Sequence, residues 1–128
     1  MSELSINKLE KAKDAVNADP AFRKLGNVDV KMALKEGDSV WLVTLAGFSC
    51  HDVQAIDSRD IRDASFLVDM TSAQWKAFLK SGESLVDLDR RESVIKSENL
   101  RKELDFLRYH LSVQAFFDAC AGRVAAAA

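Results

Sequence analysis

Proline is nearly absent from this chain: Pro20 stands alone in 128 residues, with only five glycines and two cysteines. No Pro- or Gly-rich stretch marks a linker, and no internal repeat or low-complexity segment divides the sequence, so 1–128 reads as one domain with one core. Cys50 and Cys120 have no Cys-x-x-Cys neighbour, which excludes a disulfide framework and a zinc pair and leaves two reduced thiols. Long hydrophobic runs are missing too. The richest stretch, Val40 to Phe48, is strand-length and far short of the ~20 residues of a membrane helix. Met1 to Lys13 carries charges without an apolar block, so no signal peptide is expected and the cytoplasm is the expected compartment.

Neither sign of charge dominates. Eighteen basic against twenty acidic side chains give a net charge of -2, which argues against non-specific nucleic-acid binding and against polybasic attachment to an acidic membrane. A phosphate-cradling Gly loop, a nucleophile elbow and a dinucleotide fingerprint are all lacking, so no cofactor is expected.

What is present is a globular composition, 48% apolar and 30% charged, with clear periodicities. Ile6, Leu9, Ala12 and Val16 repeat at helical spacing over residues 5–18. Asp19-Pro20 restarts a short helix, with Asp as N-cap and Pro in the first turn, and Leu25-Gly26 ends it. Period two follows. Val28, Val30, Met32 and Leu34 alternate with Asp29, Lys31 and Lys35 in a half-buried strand. Val40 to Leu45 is apolar on both parities, as in a strand covered on both faces. Phe48 to Ile56 reads as a third strand with a bulge at His51-Asp52.

After a charged connection at 57–63, Ala64, Phe66, Val68 and Met70 alternate in a fourth strand. Thr71-Ser72-Ala73-Gln74 is a capping box, with Met70 and Trp75 as its hydrophobic staple. That helix presents Trp75, Phe78 and Leu79 on one face and stops at Ser81-Gly82. Ser84 to Asp89 reads as one more helical turn and Ser93 to Lys96 as a short edge strand. The last helix, Asn99 to Arg123 with Ser97 or Asn99 as cap, carries two apolar stripes. Leu100, Leu104, Leu107, Leu111 and Ala115 form one; Phe106, Val113, Phe117 and Cys120 form the other, with Tyr109 and Phe116 at its margin. One stripe docks a helix on its own core. The second needs more core, a partner chain or a ligand.

The expectation is an α+β domain: four strands in a meander plus a short fifth make a mostly antiparallel sheet, covered on one face by helices, with a long C-terminal helix. Residues 1–4 and 124–128 are expected to fray.

The order and spacing of these elements resemble the sterol carrier protein type 2 family of lipid-binding domains. Trp41-Leu42-Val43-Thr44-Leu45-Ala46-Gly47 supplies a Trp-containing strand ending in a Gly turn, and Ala64 to Gly82 a strand running straight into a capped helix. Two features depart from the family. Arg90 to Ser97 replaces its usual Gly-rich stretch, and the chain closes on alanines where some relatives carry a peroxisomal ending. The resemblance implies a tunnel between sheet and helices that holds an apolar molecule, with the C-terminal helix as one wall.

The residues placed to line such a tunnel are Trp41, Phe66, Trp75, Phe78, Leu79, Phe106, Tyr109, Val113, Gln114 and Phe117. Aromatics also dominate ordinary cores, and Phe48 and Phe116 belong to the same aromatic set. Gln114 could hold a ligand head group or equally a backbone group. Catalytic candidates are thin. His51 and Asp52 are strand neighbours that point to opposite faces unless a bulge turns one of them, His110 sits on a polar strip, and Cys50 is separated from His51 by the same alternation. No metal set and no catalytic constellation is expected. Arg59 to Asp63 and Arg90-Arg91 read as solvated loops.

Three functions remain open. The chain could carry a fatty acyl, sterol or similar lipid; it could be a small cyclase or isomerase using His51, Asp52 or His110; or it could bury its second stripe in a homodimer. The first is favoured, with an apolar small molecule as partner and neither nucleic acid nor an integral membrane segment involved.

Overall fold

The computed structural model describes residues 4–97 and 100–122, with the side chains of 100–105 outside that description. The expected cap at Asn99, the fraying at 124–128 and the burial of Leu100 and Leu104 therefore lie outside the described residues.

The chain opens with α1 (Ile6–Ala18), whose N-cap Ser5 accepts from the Lys8 N–H, and α2 (Pro20–Lys24), capped by Asp19. Leu4, expected at a frayed end, is instead buried, and its N–H donates to the Glu36 carboxylate at 2.9 Å. Three antiparallel strands follow: β1 (Val28–Glu36), β2 (Ser39–Gly47) and β3 (Ser49–Ile56). The bulge is where the sequence placed it. Thr44 pairs with Asp52 and Leu45 with Cys50, which leaves His51 as the extra residue.

The four-strand meander does not form. A 3-10 turn (Ser58–Asp63) carries the chain back across the sheet, and β4 (Phe66–Met70) lies parallel to β1 instead of beside β3. The strand order is β3-β2-β1-β4-β5, with β5 (Ile95–Lys96) antiparallel to β4. Alternation along a strand reports which face is buried and is silent about its neighbour, so the parallel pairing left no mark in the sequence.

Both faces of the sheet carry apolar residues. Met32, Leu34, Trp41, Val43, Leu45, Phe66 and Val68 point to the helices and form the main core. Ala33, Val40 and Leu42 point the other way and form a second cluster with Ala64, against which Ile61 of the 3-10 turn packs. The double parity of β2 thus has a physical cause on each side.

Helix α3 (Ser72–Ser81) has the expected capping box, and Gly82 closes it in the left-handed conformation at φ 75°. Residues 85–92 make a full helix, α4 (Leu85–Glu92), longer than the single turn expected. The Arg91 guanidinium forks onto both Glu83 carboxylate oxygens at 2.7 and 2.8 Å, bracing this segment against its own entrance. Helix α5 (Leu100–Cys120) packs across α1, α3, α4 and the sheet. It is not straight: Tyr109, at φ -112° and ψ 18°, leaves helical geometry and divides it in two.

Candidate ligand site

Most of the residues nominated from sequence meet in one place. Trp75 and Phe78 from α3 and Phe117 from α5 form a three-ring cluster with centroids 5.5–6.2 Å apart, and Phe116 joins Phe117 at 5.9 Å. The Trp75 indole N–H donates to the Lys35 carbonyl at 2.8 Å, so a fully buried donor is satisfied by the sheet itself. Phe66 of β4 meets Phe106 of α5 edge-on at 5.2 Å. Val113, Trp41 and Leu79 belong to the same core cluster, and Tyr109 packs half-buried at its margin under the Arg108 guanidinium, 5.4 Å from the ring centre. These side chains close on one another between α3, α5 and the sheet.

Gln114 is committed to the fold. Its side-chain carbonyl accepts from the Leu85 N–H at 2.6 Å, and its amide reaches the Glu83 carbonyl and the Asp118 carboxylate at 3.4 and 3.3 Å. A ligand head group would have to compete with the start of α4.

Of the first stripe, Ala115 packs half-buried against the core while Leu107 and Leu111 do not. Phe106, Val113, Phe116, Phe117 and Cys120 are buried, whereas Leu107 and Leu111 are 49% and 57% exposed. Phe48, grouped with the core aromatics on sequence, is 53% exposed at the β2–β3 turn.

A cleft opens where no nominated residue lies. An open surface cleft of about 540 Å³ lies where α1 meets the end of α5, against 270–300 Å³ for three other surface clefts among the described residues. Ala15, Ala119 and Cys120 form its apolar part, and Ser5, Asn7, Lys8 and Lys11 its polar rim. Small side chains at a helix crossing leave this room. The residues that mark it are Ala15 on α1 with Ala119 and Cys120 on α5, and alanine is so common in helices that its presence carries no signal of a cleft.

Catalytic groups do not converge. His51 and Asp52 are both exposed at the bulge, while His110 lines a separate cleft near Leu25. Burial pushes the Cys50 and Cys120 thiols up to about 12. Among the described residues no group of three His, Cys, Asp or Glu side chains could hold a metal ion, and no helix is long and apolar enough to cross a membrane.

Comparison with solved structures places the architecture. A crystal structure of sterol carrier protein 2 superposes with a TM-score of 0.72 over 90% of this chain and 94% of that one, at 14% identity. The fold is sterol carrier protein-like. A Thermus thermophilus protein, described as possibly a sterol carrier protein, superposes with a TM-score of 0.66 at 12% identity, over 91% of this chain and 86% of that one. No family model matches the sequence, and no curated protein matches it. At such identities the likeness is one of backbone. The strand pairing, the aromatic layer and the α1–α5 cleft are described from this chain's own residues.

Proposed function

We propose that this chain binds and carries an apolar small molecule, a fatty acyl chain, sterol or similar lipid, between the sheet and its helices. The observation that carries this is the α1–α5 cleft, whose floor residues Ala119 and Cys120 are also members of the main core. A guest seated there would lie against the core's edge. Its tail would then reach the layer of Trp41, Phe66, Trp75, Phe78, Leu79, Phe106, Val113 and Phe117 only where those packed rings part to admit it. Each methylene transferred from water contributes about 0.8 kcal/mol, so a long chain offsets the separation of a few ring contacts without a charged anchor.

The reading involves no covalent chemistry. Thiols held near 12 stay protonated at neutral pH and make poor nucleophiles, and His51 is exposed at the bulge. The fold likeness to a protein named for sterol carriage points the same way.

Titration of the delipidated protein with an environment-sensitive fatty-acid probe tests the proposal. Saturable enhancement, displaced by unlabelled fatty acid or sterol and abolished by Ala119→Trp, is the expected result. A probe that never saturates, or binds equally well when the cleft is filled, overturns it.

A second reading has its own observation. Leu107 and Leu111, one helical turn apart and about half exposed, would suit burial against a second copy of the chain. Sedimentation of wild type and Leu111→Glu separates this from carriage: dimer loss with probe binding intact favours the interface.

A further inference from the structure

Two stretches far apart in the chain meet at a cleft of about 270 Å³. One is the connection from α2 to β1, which brings Leu25 and Asn27; the other is the kink of α5, at residues 108–112. Leu25 and Leu111, 40% and 57% exposed, are its apolar walls. The polar side chains between those walls are uncommitted. Ser112 is only 4% exposed, and a serine inside a regular helix commonly returns its hydroxyl to a carbonyl one turn back. Here the helix leaves helical geometry at Tyr109, and the Ser112 hydroxyl makes no hydrogen bond among the described residues. No fully enclosed side-chain oxygen or nitrogen among them lacks a partner, so this hydroxyl opens into the cleft it lines. Beside it the exposed Arg108 has no carboxylate partner; its guanidinium lies over the Tyr109 ring, 5.4 Å from the centroid. Stacking fixes the guanidinium plane and leaves its N–H edges available. The side chains of Asn27 and the half-buried His110 line the same space, also without hydrogen-bond partners among the described residues, and no carboxylate is among its lining residues.

We infer that this cleft binds a small organic carboxylate, a monoanion with a compact apolar body. One guanidinium matches one carboxylate, whose paired oxygens accept its parallel N–H donors. The Ser112 hydroxyl, the Asn27 amide and the His110 imidazole, a donor in either tautomer, serve the lone pairs that remain. A neutral apolar guest would cover the Ser112 hydroxyl without giving it an acceptor, which costs binding energy. The body of the ligand lies between Leu25 and Leu111. The cleft has half the volume of the one between α1 and α5 and shares no lining residue with it. The site therefore stands whether or not a lipid is carried there.

Benzoate and benzamide separate charge from shape, since benzamide keeps the apolar body and loses the anion. Amide shifts of the isotope-labelled full chain are followed with each probe, in wild type and in Arg108→Gln. Saturable shifts confined to residues 25–27 and 108–112 are expected with benzoate. Affinity should be about tenfold lower for benzamide in wild type, and about tenfold lower for benzoate in the variant. Arg108 is exposed, so an unchanged melting temperature certifies the variant's fold, and the benzamide comparison needs no variant at all. Absence of saturable shifts with benzoate, equal affinity for benzamide, an unchanged affinity in Arg108→Gln, or shifts centred on α1 and residues 119–120 would overturn the inference.

Discussion

The side-chain carbonyl of Gln114 accepts a 2.6 Å hydrogen bond from the backbone N–H of Leu85, the first residue of α4. A helix N-terminus leaves its first N–H groups without intrahelical partners. Here Ser84 takes the Asp87 N–H while a residue of another helix takes that of Leu85. The start of α4 is thus fastened to α5 by one amide. Gln114→Ala leaves a part-buried N–H without its acceptor and should cost about 1–3 kcal/mol, read as a lowered urea midpoint. Affinity for a fatty-acid probe should hold within about twofold. The opposite pattern, stability intact and binding lost, would return Gln114 to the ligand.

Asn17 does comparable work at the other end of the sheet. Its side chain accepts from the Cys50 N–H at 2.7 Å and donates to the Cys50 carbonyl at 3.0 Å, satisfying both backbone groups beside the bulged His51. Asn17→Ala should destabilise the fold by about 1–3 kcal/mol. Hydrogen exchange at the Cys50 amide should accelerate more than exchange at Val53. Uniform acceleration along β3 would mean the clamp is not local.

The ring cluster should be the least tolerant part of the core. Phe117 touches Trp75, Phe78 and Phe116 and is 1% exposed. Phe117→Ala should cost about 3–5 kcal/mol by transfer and cavity terms together. A loss below about 1 kcal/mol in chemical denaturation would show that the layer is loosely packed.

Alkaline pH should weaken the fold through its thiols. In an unfolded chain Cys50 and Cys120 would release their protons near 9.0, whereas burial holds them to about 12 in the folded protein. Unfolding between those values releases protons, so this contribution is fully present below pH 9 and is lost as pH rises toward 12. Unfolding midpoints of wild type and of Cys50→Ala, Cys120→Ala should converge across that window. Parallel pH curves for the two proteins would rule the thiols out.

Local elements were legible because their determinants are local. The Asp19-Pro20 restart, the Thr71–Gln74 capping box and the bulge at His51 are each written in a few adjacent residues, and all three form. The two faces of β2 were legible from parity alone. Strand order was not, because Phe66, Val68 and Met70 would alternate identically beside β3 or beside β1. Large aromatic side chains stand out in a sequence, and they are also the ones that fill space: Trp75, Phe78 and Phe117 pack on each other. Room is left by small residues, and Ala15 and Ala119 have no periodicity that distinguishes a cleft from a tight crossing. Leu4 shows the converse, since its anchor Glu36 is thirty-two residues away.

Photo-crosslinking with a diazirine fatty acid, followed by peptide mass spectrometry, tests the carrier account most directly because it reports where a guest sits. Label concentrated on the α1 and α5 peptides that contain Ala15, Ala119 and Cys120, and competed away by unmodified fatty acid, is the outcome the account predicts. Label that is absent, is not competed, or falls on the outward face of the sheet would contradict it.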